Sequence, residues 1–140
     1  MNRTITSALL AATLTLGCGG VAVAQAPKPA QAEVVDPFDA AVAAYNLKDY
    51  ATAVSLFRSL AAQGDAYAQF NLGLMYNNGN GVAQDYVRAH MWFNLGAISG
   101  DSKNTSTNRD NIAKRMTPAQ IAEAQAMARK CQASNYKRCD

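Results

Sequence analysis

The sequence predicts an all-α protein made of short antiparallel helix pairs stacked as a repeat, about six helices in all. Three observations carry this reading. No stretch alternates apolar and polar residues with period two, so no sheet is expected. A shift of 36 residues sets Asp49-Tyr50-Ala51-Thr52-Ala53 on Asp85-Tyr86-Val87-Arg88-Ala89, Phe57 on Phe93, Ala61 on Ala97 and Gly64-Asp65 on Gly100-Asp101, seven identities in seventeen positions. Finally, residues 66–101 spell one helix–loop–helix unit. One of its faces carries Ala68, Leu72, Gly73 and Tyr76, the other Ala89, Trp92, Phe93 and Ala97. Two helices cannot bury both faces alone, which demands stacked neighbours and favours a binding surface over a catalytic pocket.

The elements follow in order. Asp36 is placed to cap a first helix over Phe38 to Asn46, with Pro37 at the first helical position. A second helix runs from Tyr50 to Ala62, a third from Ala66 to Asn77 and a fourth from Asp85 to Ser99. Tyr45 precedes Asp49 by four residues and Tyr76 precedes Asp85 by nine, so the second helix pair has a loop five residues longer. Gly79 and Gly81 give that loop positive φ, and Gly64 and Gly100 close the second and fourth helices. Gly73 is expected to face Ala89 or Ala53 at a close helix approach. The polar stretch 101–106 reads as a loop or a ragged helix start, followed by a fifth helix from about Thr107 to Arg115 bearing Ile112, with Met116 just beyond it. Thr117, Pro118 and Gln120 form a capping-box signal for a sixth helix to about Lys130, with Ile121, Ala124, Met127, Ala128 and Cys131 on one side. Arg129 and Lys130 end it with the charge its dipole favours.

The string Ala68-Gln69-Phe70-Asn71-Leu72-Gly73-Leu74-Met75-Tyr76, then Gly79-Asn80-Gly81-Val82, Asp85-Tyr86, Ala89, Trp92 and Gly100-Asp101, closely resembles the Sel1-like repeat, a relative of tetratricopeptide repeats. The resemblance implies a short right-handed α-solenoid over residues 38–131: a short first unit at 38–65, a complete repeat at 66–101 and a diverged terminal unit at 105–131. Gly96 and Ile98 depart from the family pattern, which favours alanine there, and are expected to weaken packing at that helix.

The N-terminus reads as a secretory signal over residues 1–24: Arg3, an apolar stretch from Ala8 to Leu16, and Ala22-Val23-Ala24 as the cleavage site. Retention as a membrane anchor and lipidation at Cys18 are the alternatives; Thr15 stands where a lipidation signal wants leucine. Residues 25–37 (QAPKPAQAEVVDP) read as a flexible leader. The expected location is the periplasm or the exterior, with no membrane attachment after cleavage. Cys131 and Cys139, eight residues apart, are then expected to form a disulfide tying residues 132–140 to the last helix.

The full chain carries 13 − 10 = +3, and the part after residue 24, lacking Arg3, 12 − 10 = +2. That charge is too small and too evenly spread to point to nucleic acid. Chemistry is sparse. His90 is the only histidine and has no Cys, Asp or Glu at ligand spacing, so neither a metal nor a cofactor is expected. Residues 77–81 (NNGNG) lack the carboxylates of a calcium loop, and no phosphate-binding glycine motif occurs. Ser134-Asn135-Tyr136-Lys137 fits the Ser-x-x-Lys pattern of β-lactam-reactive enzymes but has neither partner motif, so a β-lactam-binding or hydrolysing protein is the alternative class and no enzyme is expected.

Binding remains. The resemblance implies that the side of the third helix opposite its packed face lines a concave groove. That side carries Tyr67, Phe70, Asn71, Leu74, Asn77 and Asn78, two aromatics for apolar contact and three amides able to bond a peptide backbone or carboxylate. The same residues could instead pack against the third unit or stand in solvent. The expected function is an exported, non-enzymatic protein- or peptide-binding module, an adaptor or regulator of envelope processes by family resemblance. A self-associating structural module is the further alternative.

Overall fold

Six helices make up the computed structural model, which describes residues 35–100 and 103–139. They are α1 Pro37–Asn46, α2 Tyr50–Ala61, α3 Ala66–Asn78, α4 Tyr86–Ser99, α5 Lys103–Ala113 and α6 Pro118–Ala133, with no strand among the described residues. The signal, its cleavage site, Cys18 and nearly all of the leader lie outside those residues.

Local chemistry starts five of the helices in one way: a short oxygen-bearing side chain accepts from an otherwise orphaned backbone N–H. Asp36 accepts from Phe38 at 2.8 Å, Asp49 from Thr52 at 3.2 Å, Asp65 from Ala68 at 2.7 Å and Asp85 from Arg88 at 3.0 Å. Thr117 accepts from Gln120 at 3.2 Å while the Gln120 side chain accepts from the Thr117 N–H at 2.8 Å, closing a capping box. Pro37 and Pro118 fill first-turn positions, where the missing N–H costs nothing. Gly79 ends α3 in the left-handed conformation at φ 71°.

The core is continuous through the described helices. Phe57, Leu72, Met75, Met91, Phe93 and Leu95 are its largest fully buried apolar side chains. Removing each from water contributes about 1.5–3 kcal/mol. α1 packs on α2, α2 on α3, and α3 on α4. α4 then receives both α5 and α6, which pack on it rather than extensively on each other. This is why α4 is buried almost all round, with Ala89, His90, Met91, Trp92, Phe93, Leu95 and Gly96 enclosed.

Five expectations change. Gly73 abuts a ring, not an alanine: a Cβ built there would stand 2.5 Å from Phe93 Cδ1 and Cε1. Gly96 tightens packing instead of loosening it, since a Cβ there would lie 3.1 Å from the Ala66 carbonyl oxygen and 3.2 Å from Thr105 Cγ2. That contact also accounts for α5 beginning at Lys103 rather than Thr107: Thr105 is fully buried against α4, and packing overrides a polar, helix-poor sequence. α2 is capped by Ala62, with Gly64 two residues beyond at φ 86°, and α6 runs on to Ala133.

Candidate peptide-binding groove

The helical repeat of α3 divides its side chains. Ala68, Gln69, Leu72, Gly73, Met75 and Tyr76 are buried, leaving the other residues to the helix's open side. Tyr67 is 61 % exposed, its ring edge-on to Phe38 at 6.2 Å. Phe70 is half-buried, tilted against Phe93 at 5.8 Å, and Leu74 is half-buried against the core. Asn71 is half-buried and donates from Nδ2 to the Tyr67 carbonyl at 2.8 Å, which leaves its Oδ1 as an acceptor. Asn77 donates to Oδ1 of the exposed Asn78 at 2.9 Å, and its own carbonyl accepts from Gln84 Nε2 at 2.8 Å. Phe70 and Leu74 therefore supply packing, while Tyr67, Asn71, Asn77 and Asn78 supply reachable polar and aromatic surface.

Asn77 does not act alone. With Asn108, Asn111 and Arg115 of the α5 region it rims a 150 Å³ recess floored by Phe93 and Ile112. Asn108 donates to the Asn104 carbonyl at 2.8 Å, and Asn111 accepts from Lys114 at 3.1 Å. Arg115 lies 4.6 Å over the Tyr86 ring, a cation–π contact that fixes the guanidinium. Three amides and one fixed cation above an apolar floor suit an extended backbone with a carboxylate or carbonyl near the arginine. The α5 members were not anticipated. Their signal was present, since asparagines at 104, 108 and 111 fall at helical spacing on one face.

The remaining chemically notable groups have structural surroundings. A 310 Å³ depression lies between Arg58, Tyr76 and Arg88; Arg58 donates to the Tyr76 hydroxyl at 2.8 Å, and Arg88 pairs with Asp85 at 2.7 Å. Burial pushes the Asp85 carboxyl up, but the Arg88 N–H, guanidinium and charge outweigh it and hold the group below its ordinary value. His90 is buried with Nδ1 unpartnered, and burial, aided by the Arg109 charge and opposed by Asp110, holds its imidazole below its ordinary value. The Ser134 hydroxyl donates to the Cys131 carbonyl at 2.7 Å and accepts from the Arg138 N–H at 2.9 Å. Both bonds serve the turn after α6. Cys131 and Cys139 are joined by a disulfide. Among the described residues no three His, Cys, Asp or Glu side chains cluster as metal ligands, and no helix is long and apolar enough to cross a membrane.

The Sel1 repeat family model matches residues 42–65, from the second half of α1 through α2, and residues 66–101, the α3–α4 unit. The chain carries two Sel1 repeats. The crystal structure of a protective antigen present in uropathogenic Escherichia coli strains, itself displaying an SLR fold, is similar at a TM-score of 0.65 and 28 % sequence identity. That similarity covers 73 % of this chain and 24 % of the antigen, so the present protein spans about a quarter of that one. No curated protein matches the chain. Sel1-like repeat proteins are generally protein-binding scaffolds without enzymatic activity, and the fold of this chain suggests a role in protein–protein interaction. In this Sel1-like protein the matched units hold Tyr67 through Asn78, while α5, beyond the matched residues, contributes the other wall of the recess.

Proposed function

We propose that this protein is an exported, non-enzymatic adaptor or regulator of envelope processes that binds a peptide segment of a partner protein along the open side of α3 and α5. The observation that carries the reading is the amide-rimmed recess of Asn77, Asn108 and Asn111, with Arg115 at its edge and Phe93 and Ile112 as its floor. Tyr67 and Asn71 extend the same surface along α3. Export is supported by the signal-like pattern of residues 1–24 and by a disulfide that persists in an oxidising compartment.

The test compares crosslinked partners of the tagged wild-type chain with those of a Tyr67→Ala/Asn71→Ala/Asn77→Ala variant, after circular dichroism shows both folded. Fractionation of the same cells reports the compartment. A partner held by the wild type and lost by the variant supports the groove. Equal capture by both chains places the working surface elsewhere, and recovery in the cytoplasm with residues 1–24 intact removes the export half.

A further inference from the structure

We propose that the recess beneath the C-terminal disulfide loop is a second binding site, for the carboxylates of an acidic peptide segment, separate from the α3–α5 groove. The loop is a rigid, built element. Asn135 and Tyr136 take left-handed backbone conformations at φ 51° and 62°, and the Tyr136 N–H donates to the Cys131 carbonyl at 2.9 Å. The Tyr136 ring covers Gly64, 3.4 Å from where a Cβ there would stand, and its hydroxyl lies 3.3 Å from Ser99 Oγ. The bond from Cys139 to the fully buried Cys131 closes the loop onto α6. The backbone of Lys137 and Arg138 is thereby held over the α2–α4 surface, so little loop freedom is left to lose on binding.

Underneath is a 250 Å³ recess walled by Arg58, Trp92, Tyr136, Lys137 and Arg138. Among the described residues no carboxylate lines it, in contrast to the neighbouring depression where Asp85 answers Arg88. Among the described residues no ion pair involves Lys137 or Arg138. Trp92, 2 % exposed, forms part of the recess wall and gives it an apolar floor beside the cations. Arg138 also borders an adjoining 340 Å³ depression with Lys130 and Ser134. Residues 129–138 (RKCQASNYKR) hold four cations and no acid. Two adjoining concave sites, each lined by cations, suit successive acidic side chains of one peptide.

Trp92 is the only tryptophan, so its emission reports the site directly. The oxidised full chain is titrated with an end-blocked tetraglutamate peptide, an end-blocked tetraglutamine control and phosphatidylglycerol vesicles. The expected result is a saturable, salt-sensitive change with tetraglutamate and none with tetraglutamine. Binding should weaken on the order of tenfold in Lys137→Gln/Arg138→Gln, which changes only exposed side chains, and similarly in Cys131→Ser/Cys139→Ser, which frees the loop. The proposal is overturned by no saturable change in the wild type, by undiminished binding in Lys137→Gln/Arg138→Gln, or by a response to vesicles alone. None of these residues belongs to the α3–α5 groove, so this test and the partner-capture test succeed or fail separately.

Discussion

The Phe93 ring occupies the space that a side chain on Gly73 would need. A Cβ at Gly73 would lie 2.5 Å from two ring carbons of a side chain that is itself 1 % exposed, so α3 and α4 meet here through a hydrogen atom and a phenyl face. The same ring carries Phe70 at 5.8 Å and floors the asparagine-rimmed recess. Packing of the repeat and shape of its candidate groove thus depend on one contact.

Replacing Gly73 with alanine should destabilise the protein by about 1–3 kcal/mol, because a well-packed ring must move. Urea unfolding measures the loss, and a Phe93→Leu background should recover part of it. Independent, additive losses in the double variant would show that the two residues do not share this contact.

Gly81→Val should cost a few kcal/mol, about 2–4, for a different reason. Gly81 has φ 73°, and a Cβ would stand 2.7 Å from the Tyr50 carbonyl oxygen, which is backbone and cannot rotate away. Thermal unfolding should show a large drop in midpoint. An unchanged midpoint would mean that the loop can re-route without disturbing α2.

Stability should fall on mild acidification through His90. The unfolded chain takes up a proton near the ordinary value of 6.5, whereas burial, with the Arg109 charge, holds the folded imidazole lower. The contribution is complete above that ordinary value and is lost as pH drops from there through the folded value. Midpoints recorded from about pH 7 to pH 5 should decline in the wild type and decline less in His90→Phe. Parallel curves would exclude His90 as the source.

Cys131→Ser/Cys139→Ser should lower stability by about 2–3 kcal/mol on the chain-entropy model for so short a loop. Hydrogen exchange should show the loss concentrated in the last turn of α6 and residues 134–139, with α1 and α2 unaffected. A loss spread evenly over all helices would contradict a local staple.

The first four helices were legible because their sequence signals agree with one another. Phe57 and Phe93, and Ala53 and Ala89, recur at the 36-residue shift and are buried at equivalent positions of α2 and α4. The capping aspartates Asp49 and Asp85 recur with them. α5 was harder to delimit. Its sequence KNTSTNRDNIA is polar, and only Thr105 and Ile112 become fully buried, so its first turn exists through contact with Gly96 and not through its own pattern. Asn108, Asn111 and Arg115 lay within the expected helix, but nothing in the sequence showed that this helix would stand beside Asn77 as a wall of the recess. The Gly73 contact was misread because small residues at repeat positions suggested one another, whereas a missing side chain pairs best with a large one.

The position of α4 bears on how the molecule comes apart. In a linear repeat array each unit leans only on its neighbours, and local melting can begin anywhere. Here one helix supports α3, α5 and α6 together, so none of those three can lose α4 and remain folded by itself. α1, which leans mainly on α2, is the natural site of fraying, and opening should advance from there toward an indivisible cooperative unit centred on Trp92 and Phe93. A small Sel1-like protein built in this way gains the all-or-none unfolding of a globular domain while keeping the extended surface of a solenoid.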